Sequence, residues 1–438
     1  MTHKPIELSQ PRERVVTVGV ELPGRKQRGA LLAELALLVD TAGGEVVREL
    51  TQRKRRVEPT YYIGKGKAEE LRDACEELKP DLVIFDNDLT GAQVKNLETL
   101  TKVRIIDRSE LILDIFAKHA RTAQSKLQVE LAQLEYELPR LKRMWTHLSR
   151  FEGGIGTRGP GEKQLEEDKR VIRNSITALK RRLDRIEKHR EREVSGRKEE
   201  FTVSLVGYTN AGKSTLLNKL TGTDVVTNDQ LFVTLDTKTA LWDIGGTNVL
   251  ISDTVGFIRN IPHHLIASFH ATLAEVTEAD LLLHVVDASD PDAENMLEVV
   301  KEVLRDIGCS EKPAIAVINK TDAVSDPVEI TILARQEKKS VAVSAHTGEG
   351  LRELARMVLD AAESRWEEGI VECPVSDGRL MAWLSEKGDV LSRSYTEEVA
   401  RMHVRLPLRE AARLKSRTDI VWRLKEKKPA ETGDLESV

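Results

Sequence analysis

The segment "FTVSLVGYTNAGKSTLLNKL" constrains the fold of this chain more than any other stretch. Residues 201–206 form an apolar run typical of a buried strand, followed by G-x-x-x-x-G-K-S from Gly207 to Ser214 and then by a helical pattern. In this context the glycine loop turns backbone N–H groups toward phosphates at a helix N-terminus. The sequence therefore predicts a P-loop α/β domain, in which Lys213 contacts the terminal phosphates and Ser214 ligates Mg²⁺.

Two further motifs follow strands of the same domain. In "NVLISDTVGF", Asp253 is expected to reach Mg²⁺ through water, and the N–H group of Gly256 is expected to contact the γ-phosphate. In "AIAVINKTD", the Asp322 carboxylate can accept two hydrogen bonds from the N1–H and exocyclic amine of guanine. Adenine lacks this donor pair, so a buried carboxylate discriminates strongly between the two bases.

A last short motif, "VAVSAHTG", offers a backbone N–H at Ser344-Ala345 to the guanine oxygen. The four motifs in this order predict an enzyme that binds GTP and GDP with Mg²⁺ and hydrolyses GTP to GDP and phosphate. We expect nucleotide contacts from these residues: Gly207, Tyr208, Thr209, Asn210, Ala211, Gly212, Lys213, Ser214, Thr215, Phe232, Val233, Asp253, Thr254, Val255, Gly256, Asn319, Lys320, Asp322, Ser344, Ala345 and His346.

The γ-phosphate also requires a threonine between the P-loop and Asp253. The stretch "NDQLFVTLDTKT" contains Thr234, Thr237 and Thr239, and their spacing does not choose among them. The residue after Gly256 is Phe257, where many GTPases of this fold have a water-orienting Gln. A phenyl ring cannot hold a water by hydrogen bonding, so slow intrinsic hydrolysis is predicted.

Leucine-rich heptads indicate an antiparallel helical hairpin. The first apolar seam, interrupted at Pro139, where a kink is expected, comprises Leu127, Leu131, Leu134, Leu138, Leu141, Trp145 and Leu148. The second comprises Ile172, Ile176, Leu179, Leu183 and Ile186.

The loop between the seams, "GGIGTRGPGEKQLE", contains G-x-G-x-x-G from Gly154 to Gly159. It follows a polar helix end rather than a buried strand, so a dinucleotide fingerprint is not expected. Residues 118–200 carry 21 Lys and Arg against 14 Asp and Glu, although the whole chain has a net charge of −5. A basic segment on an acidic chain indicates a polyanionic partner, most simply nucleic acid, although a solvated helical face would have the same composition.

The remaining patterns give the domain organisation. Strand–helix alternation over residues 1–117 predicts an α/β domain with a mostly parallel sheet. The hairpin occupies 118–198, the P-loop domain 199–368, a small α+β domain 369–426, and a polar tail 427–438 that is expected to be disordered. Three separated cysteines, no apolar run of about 18 residues and no signal peptide favour a cytoplasmic protein, with peripheral membrane association left open.

Three stretches resemble the HflX family of ribosome-associated GTPases, namely "YYIGKGKAEEL", "IIDRSELILDIFAKHARTAQSKLQVELAQL" and "GGIGTRGPGEKQLEEDKR". The likeness extends over nearly the whole chain. It implies a Ras-like G domain with Thr234 as the switch threonine. The implied catalytic residues are then Lys213, Thr234 and Gly256. The implied metal ligands are Ser214, Thr234 and Asp253. It also implies that the protein binds the large ribosomal subunit and dissociates stalled or idle ribosomes. We expect a monomer.

The resemblance assigns the hairpin tip to ribosomal RNA near the peptidyl-transferase region, with ribosomal proteins as further partners. A glycine-rich tip lets the backbone approach phosphate and sugar, while basic side chains neutralise charge. The expected RNA contacts are Gly153, Gly154, Gly156, Arg158, Gly159, Gly161 and Lys163. Three alternatives remain open: assembly of the large subunit, an ATP-dependent RNA remodeller, and an RNA-binding module that uses nucleotide only as a folding cofactor.

Overall fold

The computed structural model describes residues 12–23, 32–141, 160–194, 200–223, 231–232, 237–259, 274–415 and 421–424. The chain forms two compact units. One contains Met1–Trp242 and Val249–Gly348, and the other contains Asp243–Asn248 and Glu349–Val438. Within the described ranges, none of the helices combines the length and the apolar character that crossing a bilayer requires.

The first unit begins with a parallel sheet, as the strand–helix alternation predicts, and its four strands have the order β2-β1-β3-β4. Its strands are β1 Glu13–Glu21, β2 Gly44–Arg53, β3 Leu82–Phe85 and β4 Arg104–Asp107. Its helices are α1 Ala33–Ala42, α2 Lys65–Leu78, α3 Gly91–Thr101 and α4 Arg108–His119. Helix α1 ends at Gly43, whose φ of 92° is a left-handed conformation that glycine adopts without steric penalty. The parallel register brings the carboxyl ends of β3 and β4 to one edge of the sheet.

The two predicted apolar seams pack against each other. The first seam lies on α5 Ala123–Glu137 as far as Leu134, and the second lies on α6 Pro160–Val194. Leu131, Ile176 and Leu179 form one buried cluster between the two helices. Helix α5 ends just before the turn that contains Pro139, because proline removes a backbone donor and clashes with the preceding turn. The seam positions Trp145 and Leu148 lie outside the described residues.

The loop at the hairpin tip ends earlier than predicted. Helix α6 starts at Pro160, so Gly161 and Lys163 belong to its first turn and not to the loop. Proline is favoured at this position because its fixed φ suits a helix and its missing N–H would have no helical partner. The tip residues Gly153, Gly154, Gly156, Arg158 and Gly159 lie outside the described part of the chain.

A six-stranded sheet of order β10-β9-β8-β5-β7-β6 follows, and most of its residues lie in the same unit. Its strands are β5 Phe201–Gly207, β6 Lys238–Ile244, β7 Thr247–Asp253, β8 Leu281–Asp287, β9 Ala314–Asn319 and β10 Ser340–Ala342. Its helices are α7 Lys213–Thr221, α8 Ala274–Glu278, α9 Ala293–Asp306 and α10 Pro327–Arg335. Strands β5, β7, β8, β9 and β10 are joined by parallel pairings, so the loops that follow them meet at one edge.

The second unit contains α11 Leu351–Glu363 and a four-stranded antiparallel sheet of order β12-β13-β11-β14. The strands are β11 Trp366–Pro374, β12 Asp389–Tyr395, β13 Val399–Pro407 and β14 Val421–Leu424, with helices α12 Gly378–Lys387 and α13 Leu408–Lys415. This is the small α+β fold that the sequence predicts. The predicted boundary between residues 368 and 369 falls inside β11, and residues 427–438 lie outside the described ranges.

Candidate nucleotide-binding site

The P-loop connects β5 to α7 and has two positions that only glycine can occupy. A Cβ atom on Gly207 would lie 2.3 Å from the carbonyl oxygen of Val285 on the neighbouring strand. A Cβ atom on Gly212, whose φ is 89°, would lie 2.3 Å from Nδ2 of Asn319. The sequence motif therefore reflects close approach of the loop to two adjacent strands, and this approach fixes the loop at the sheet edge.

Lys213 is buried beneath this loop. Its Nζ donates hydrogen bonds to the carbonyl oxygens of Tyr208 at 2.7 Å and Gly207 at 3.1 Å. Burial lowers the pKa of Lys213 to about 8, and the nearby carboxylate of Asp253 acts in the opposite direction. The ammonium is thus poorly solvated, so contact with a polyanion would stabilise its charge.

Ser214 and Asp253, the expected metal ligands, have their side-chain oxygens in contact. The hydroxyl of Ser214 donates a hydrogen bond to Oδ2 of Asp253 at 2.5 Å, and the aspartate is fully buried. The next residue, Thr254, donates to the carbonyl oxygen of Leu205 at 2.7 Å, which fixes the end of β7 against β5. A hydroxyl and a carboxylate in contact are the hard oxygen donors that suit Mg²⁺.

The segment after β7 lies against the P-loop. The N–H group of Phe257 donates to the carbonyl oxygen of Gly207 at 3.0 Å, and the N–H group of Thr209 donates to the carbonyl oxygen of Phe257 at 2.7 Å. A Cβ atom on Gly256 would lie 2.9 Å from both Nζ of Lys213 and Cα of Thr209. Gly256 therefore adjoins the lysine with which it is expected to share the γ-phosphate, while the ring of Phe257 is only 3% exposed.

The base-recognition motifs meet at the same edge. Asn319 donates from Nδ2 to the carbonyl oxygen of Ala211 at 2.9 Å, and its Oδ1 accepts from the N–H group of Ala345 at 3.0 Å. Ser344 donates from Oγ to Oδ1 of Asp322 at 2.6 Å, and this hydrogen bond lowers the pKa of the Asp322 carboxyl. One asparagine thus ties the P-loop to the two motifs that follow β9 and β10.

Two of the expected contact residues have other partners in the structure. Nζ of Lys320 pairs with Asp287 at 2.6 Å. The ring of Phe232 packs edge-on against Phe116, at 4.7 Å between ring centroids, so this side chain belongs to an apolar core. His346 is largely exposed, and Val233 and Thr234 lie outside the described residues.

The structure also places residues beside the P-loop that sequence reasoning missed. Glu34 on α1 accepts a hydrogen bond from the hydroxyl of Tyr208, although the two residues are 174 positions apart. The same carboxylate pairs with Arg108 at 2.5 Å and with Nε of Arg259 at 3.4 Å. No sequence pattern marks Glu34, because its role depends on how α1 packs against the other domain.

Three family descriptions match consecutive parts of the chain. Residues 30–117 match "GTP-binding GTPase N-terminal", residues 119–197 match "GTP-binding GTPase Middle Region", and residues 202–320 match "50S ribosome-binding GTPase". The second of these regions ends at residue 197, just before the P-loop domain.

Curated relatives extend this likeness over most of the chain. A protein named GTPase HflX from Caldanaerobacter subterraneus subsp. tengcongensis is 45% identical over 90% of this chain and 90% of the relative. GTPase HflX of Escherichia coli K12 is 44% identical over 82% of this chain and 88% of the relative. Among solved structures, a GTP-binding protein from Sulfolobus solfataricus in complex with GDP matches 80% of this chain and 99% of its own, with 24% identity and a TM-score of 0.43.

Proposed function

Because this chain belongs to the HflX family of GTPases, we propose that it binds the large ribosomal subunit and dissociates stalled or idle ribosomes. The chain is a GTP-binding enzyme that hydrolyses GTP. The family description "50S ribosome-binding GTPase" over residues 202–320 supports the large subunit as its partner. With this partner, the proposed location is the cytoplasm.

The observation that carries the proposal is a helical arm in the same compact unit as the nucleotide site. Helix α6 has 35 residues, which corresponds to about 50 Å at 1.5 Å per residue. Its apolar seam packs on α5, and its outward positions are rich in Lys and Arg. A long basic arm is suited to reaching into RNA, since cationic side chains neutralise backbone phosphates.

The residues of the site suggest how GTP is held. Lys213 provides a positive charge beside Gly256, where the γ-phosphate would bind, and Asp322 provides the carboxylate for guanine. Ser214 and Asp253 would hold Mg²⁺, which neutralises charge on the phosphate oxygens when it is bound. Thr234 stays a predicted third ligand.

Hydrolysis is proposed to be slow until the ribosome acts. Phe257 is buried, and its backbone is hydrogen-bonded to the P-loop on both sides. The side chain in the position next to Gly256 thus offers no hydrogen bond to an attacking water. Contact with the ribosome would order the remaining catalytic groups, which would then orient the attacking water.

Sedimentation of purified ribosomes tests the proposal. With GTP or a non-hydrolysable GTP analogue, the protein should shift intact ribosomes toward free subunits and sediment with the large subunit. GDP and the variant Lys213→Ala should leave ribosomes intact, whereas Lys219→Ala, an exposed lysine of the same helix, should behave as the unmodified protein.

Two results would contradict the proposal. Binding to large subunits without any loss of intact ribosomes would favour a role in subunit assembly. Rapid GTP turnover by the purified protein, unchanged on addition of ribosomes, would refute the stimulation that the buried Phe257 suggests.

A further inference from the structure

Asp107 and Arg108 are consecutive residues whose side chains join different parts of the first unit. Asp107 ends β4 and is fully buried, and Arg108 begins α4 and is 3% exposed. Asp107 contacts the base of the helical arm, whereas Arg108 contacts α1 and, through it, the P-loop. Both are held by charge-assisted hydrogen bonds, which are stronger in buried surroundings than in water.

On the arm side, Asp107 accepts two hydrogen bonds from residues at the end of α5. The hydroxyl of Tyr136 donates to Oδ1 at 2.8 Å, and the guanidinium of Arg140 donates to Oδ2 at 2.8 Å. The guanidinium of Arg140 also lies 3.4 Å from the ring centroid of Tyr136. The base of the arm is therefore fixed to the carboxyl end of β4 by three mutually supporting contacts.

On the nucleotide side, Arg108 pairs with Asp86 at 2.6 Å and with Glu34 at 2.5 Å. Glu34 accepts the hydrogen bond from Tyr208 in the P-loop. The hydroxyl of Tyr208 in turn accepts from the backbone N–H group of Arg259 at 2.8 Å. Arg259 lies three residues after Gly256, in the segment that contacts the γ-phosphate in GTPases of this fold, and it also pairs with Asp292 at 2.9 Å.

We propose that this chain of contacts, from Tyr136 through Asp107, Arg108, Glu34 and Tyr208 to Arg259, couples the position of the helical arm to the nucleotide switch. Displacing one member of this relay would weaken the hydrogen bonds or ion pairs of the next, and weakened pairing of a buried charge is destabilising. The members are therefore expected to move together. An apolar core runs beside the relay from Val129 and Ala132 on α5 to Phe257, and so transmits the same displacement.

The relay adds a mechanism of regulation to the proposed function. It rests on that function only for the identity of the molecule that the arm contacts. RNA contact at the tip would shift the arm base and thereby the segment at Arg259. By thermodynamic reciprocity, GTP would then change the affinity of the arm for RNA by the same factor by which RNA changes the affinity of the protein for GTP. Coupling within the isolated protein does not require a ribosome, so the two proposals can fail separately.

The decisive measurement is the ratio of affinities for a non-hydrolysable GTP analogue and GDP in the purified full-length protein. Tyr136→Phe removes only the hydroxyl that reaches Asp107 and keeps the ring beneath Arg140. We expect it to change this ratio at least about 3-fold, although the hydroxyl that is removed donates to Asp107 at the end of β4 and not to the P-loop. In a Glu34→Gln background the same substitution should have no further effect. Tyr208→Phe removes the hydroxyl that donates to Glu34. It provides a second variant in which Tyr136→Phe should have no further effect.

Tyr61→Phe is the matched control, because Tyr61 is half-buried in the core on the other side of the N-terminal sheet and has no place in the relay. A purely structural role for Tyr136 would lower the melting temperature and leave the affinity ratio unchanged. That result would refute the coupling through the relay. Additive effects of Tyr136→Phe and Glu34→Gln on the affinity ratio would refute it as well. Loss of ribosome binding by the unmodified protein would instead refute the proposed function.

Discussion

The ammonium group of Lys213 lies 2.7 Å from the carbonyl oxygen of Tyr208, to which it donates a hydrogen bond. Both residues belong to the P-loop and both are buried. The lysine is thus buried and held by neutral carbonyl groups. Such a site stabilises a charge less well than solvent does, so a bound polyanion gains more from the lysine than it would at the surface.

We expect GTP affinity to fall as the pH rises above about 8, the value to which burial lowers the pKa of Lys213. Below this pH the lysine is charged before GTP binds. Above it, binding must also bring a proton, because the phosphates favour the charged form, and affinity falls by up to about tenfold per pH unit.

Calorimetry in buffers of different ionisation enthalpy measures this proton uptake. Lys213→Ala should abolish it and weaken GTP binding by about 1.5–3 kcal/mol, roughly 10- to 150-fold. Lys219→Ala should preserve both quantities. An affinity that stays constant from about pH 7 to 9.5 would rule out this role of the lysine.

Asp322→Asn should shift the base preference from guanine toward xanthine. An amide replaces one acceptor by a donor, so it loses a hydrogen bond to guanine and gains one to the xanthine carbonyl. Competition binding of GTP, xanthosine triphosphate and ATP measures the change. Ser344→Ala is the control, since it keeps the Asp322 carboxylate and removes the hydroxyl that donates to it at 2.6 Å and accepts from the N–H group of Thr347 at 3.0 Å. It should weaken GTP binding by about 0.5–1.5 kcal/mol and keep guanine preferred.

Gly207→Ala should abolish nucleotide binding or folding. The added Cβ would lie 2.3 Å from the carbonyl oxygen of Val285, and backbone atoms of a central strand cannot move aside. The matched change Gly66→Ala, at an exposed helical position with open space around it, should raise the free energy of unfolding by about 0.4–1 kcal/mol. Urea unfolding with a fluorescent nucleotide compares the two. Normal binding by Gly207→Ala would contradict the packing described.

His284 on β8 should make the protein sensitive to acid. Burial lowers its pKa to about 3, with further contributions from Lys301 and Lys213. The unfolded chain gains this proton below about pH 6.5, whereas the folded chain does not until about pH 3. The stabilisation is therefore complete above pH 6.5 and is lost as the pH falls. At about pH 4.5 the loss is about 2–3 kcal/mol.

Urea unfolding at pH 7 and at pH 4.5 tests this contribution. His284→Gln should reduce the difference in unfolding free energy between the two pH values. His346→Gln should leave it unchanged, because His346 is 87% exposed. Equal pH dependence in the His284 variant and the unmodified protein would refute the assignment.

Local motifs made much of the nucleotide site predictable. Gly207 to Ser214, Asp253 and Asp322 lie at or just after the carboxyl end of a strand, and parallel strands bring such ends to one edge whatever the details of packing. The start of α6 was less predictable, since glycines alone do not reveal that Pro160 already begins a helix. The burial of Phe232 was not predictable either, because its partner Phe116 lies in the other domain.

The sequence by itself determined the fold class, the nucleotide and the order of the domains, because these depend on periodicity and on short motifs whose chemistry is local. Only the tertiary structure decided that Glu34 meets Tyr208 and Arg259, and that Asp107 and Arg108 contact different parts of the unit. Such contacts depend on the angle and register at which helices pack. These are set by the combined shape of many apolar side chains and not by any one stretch of the chain.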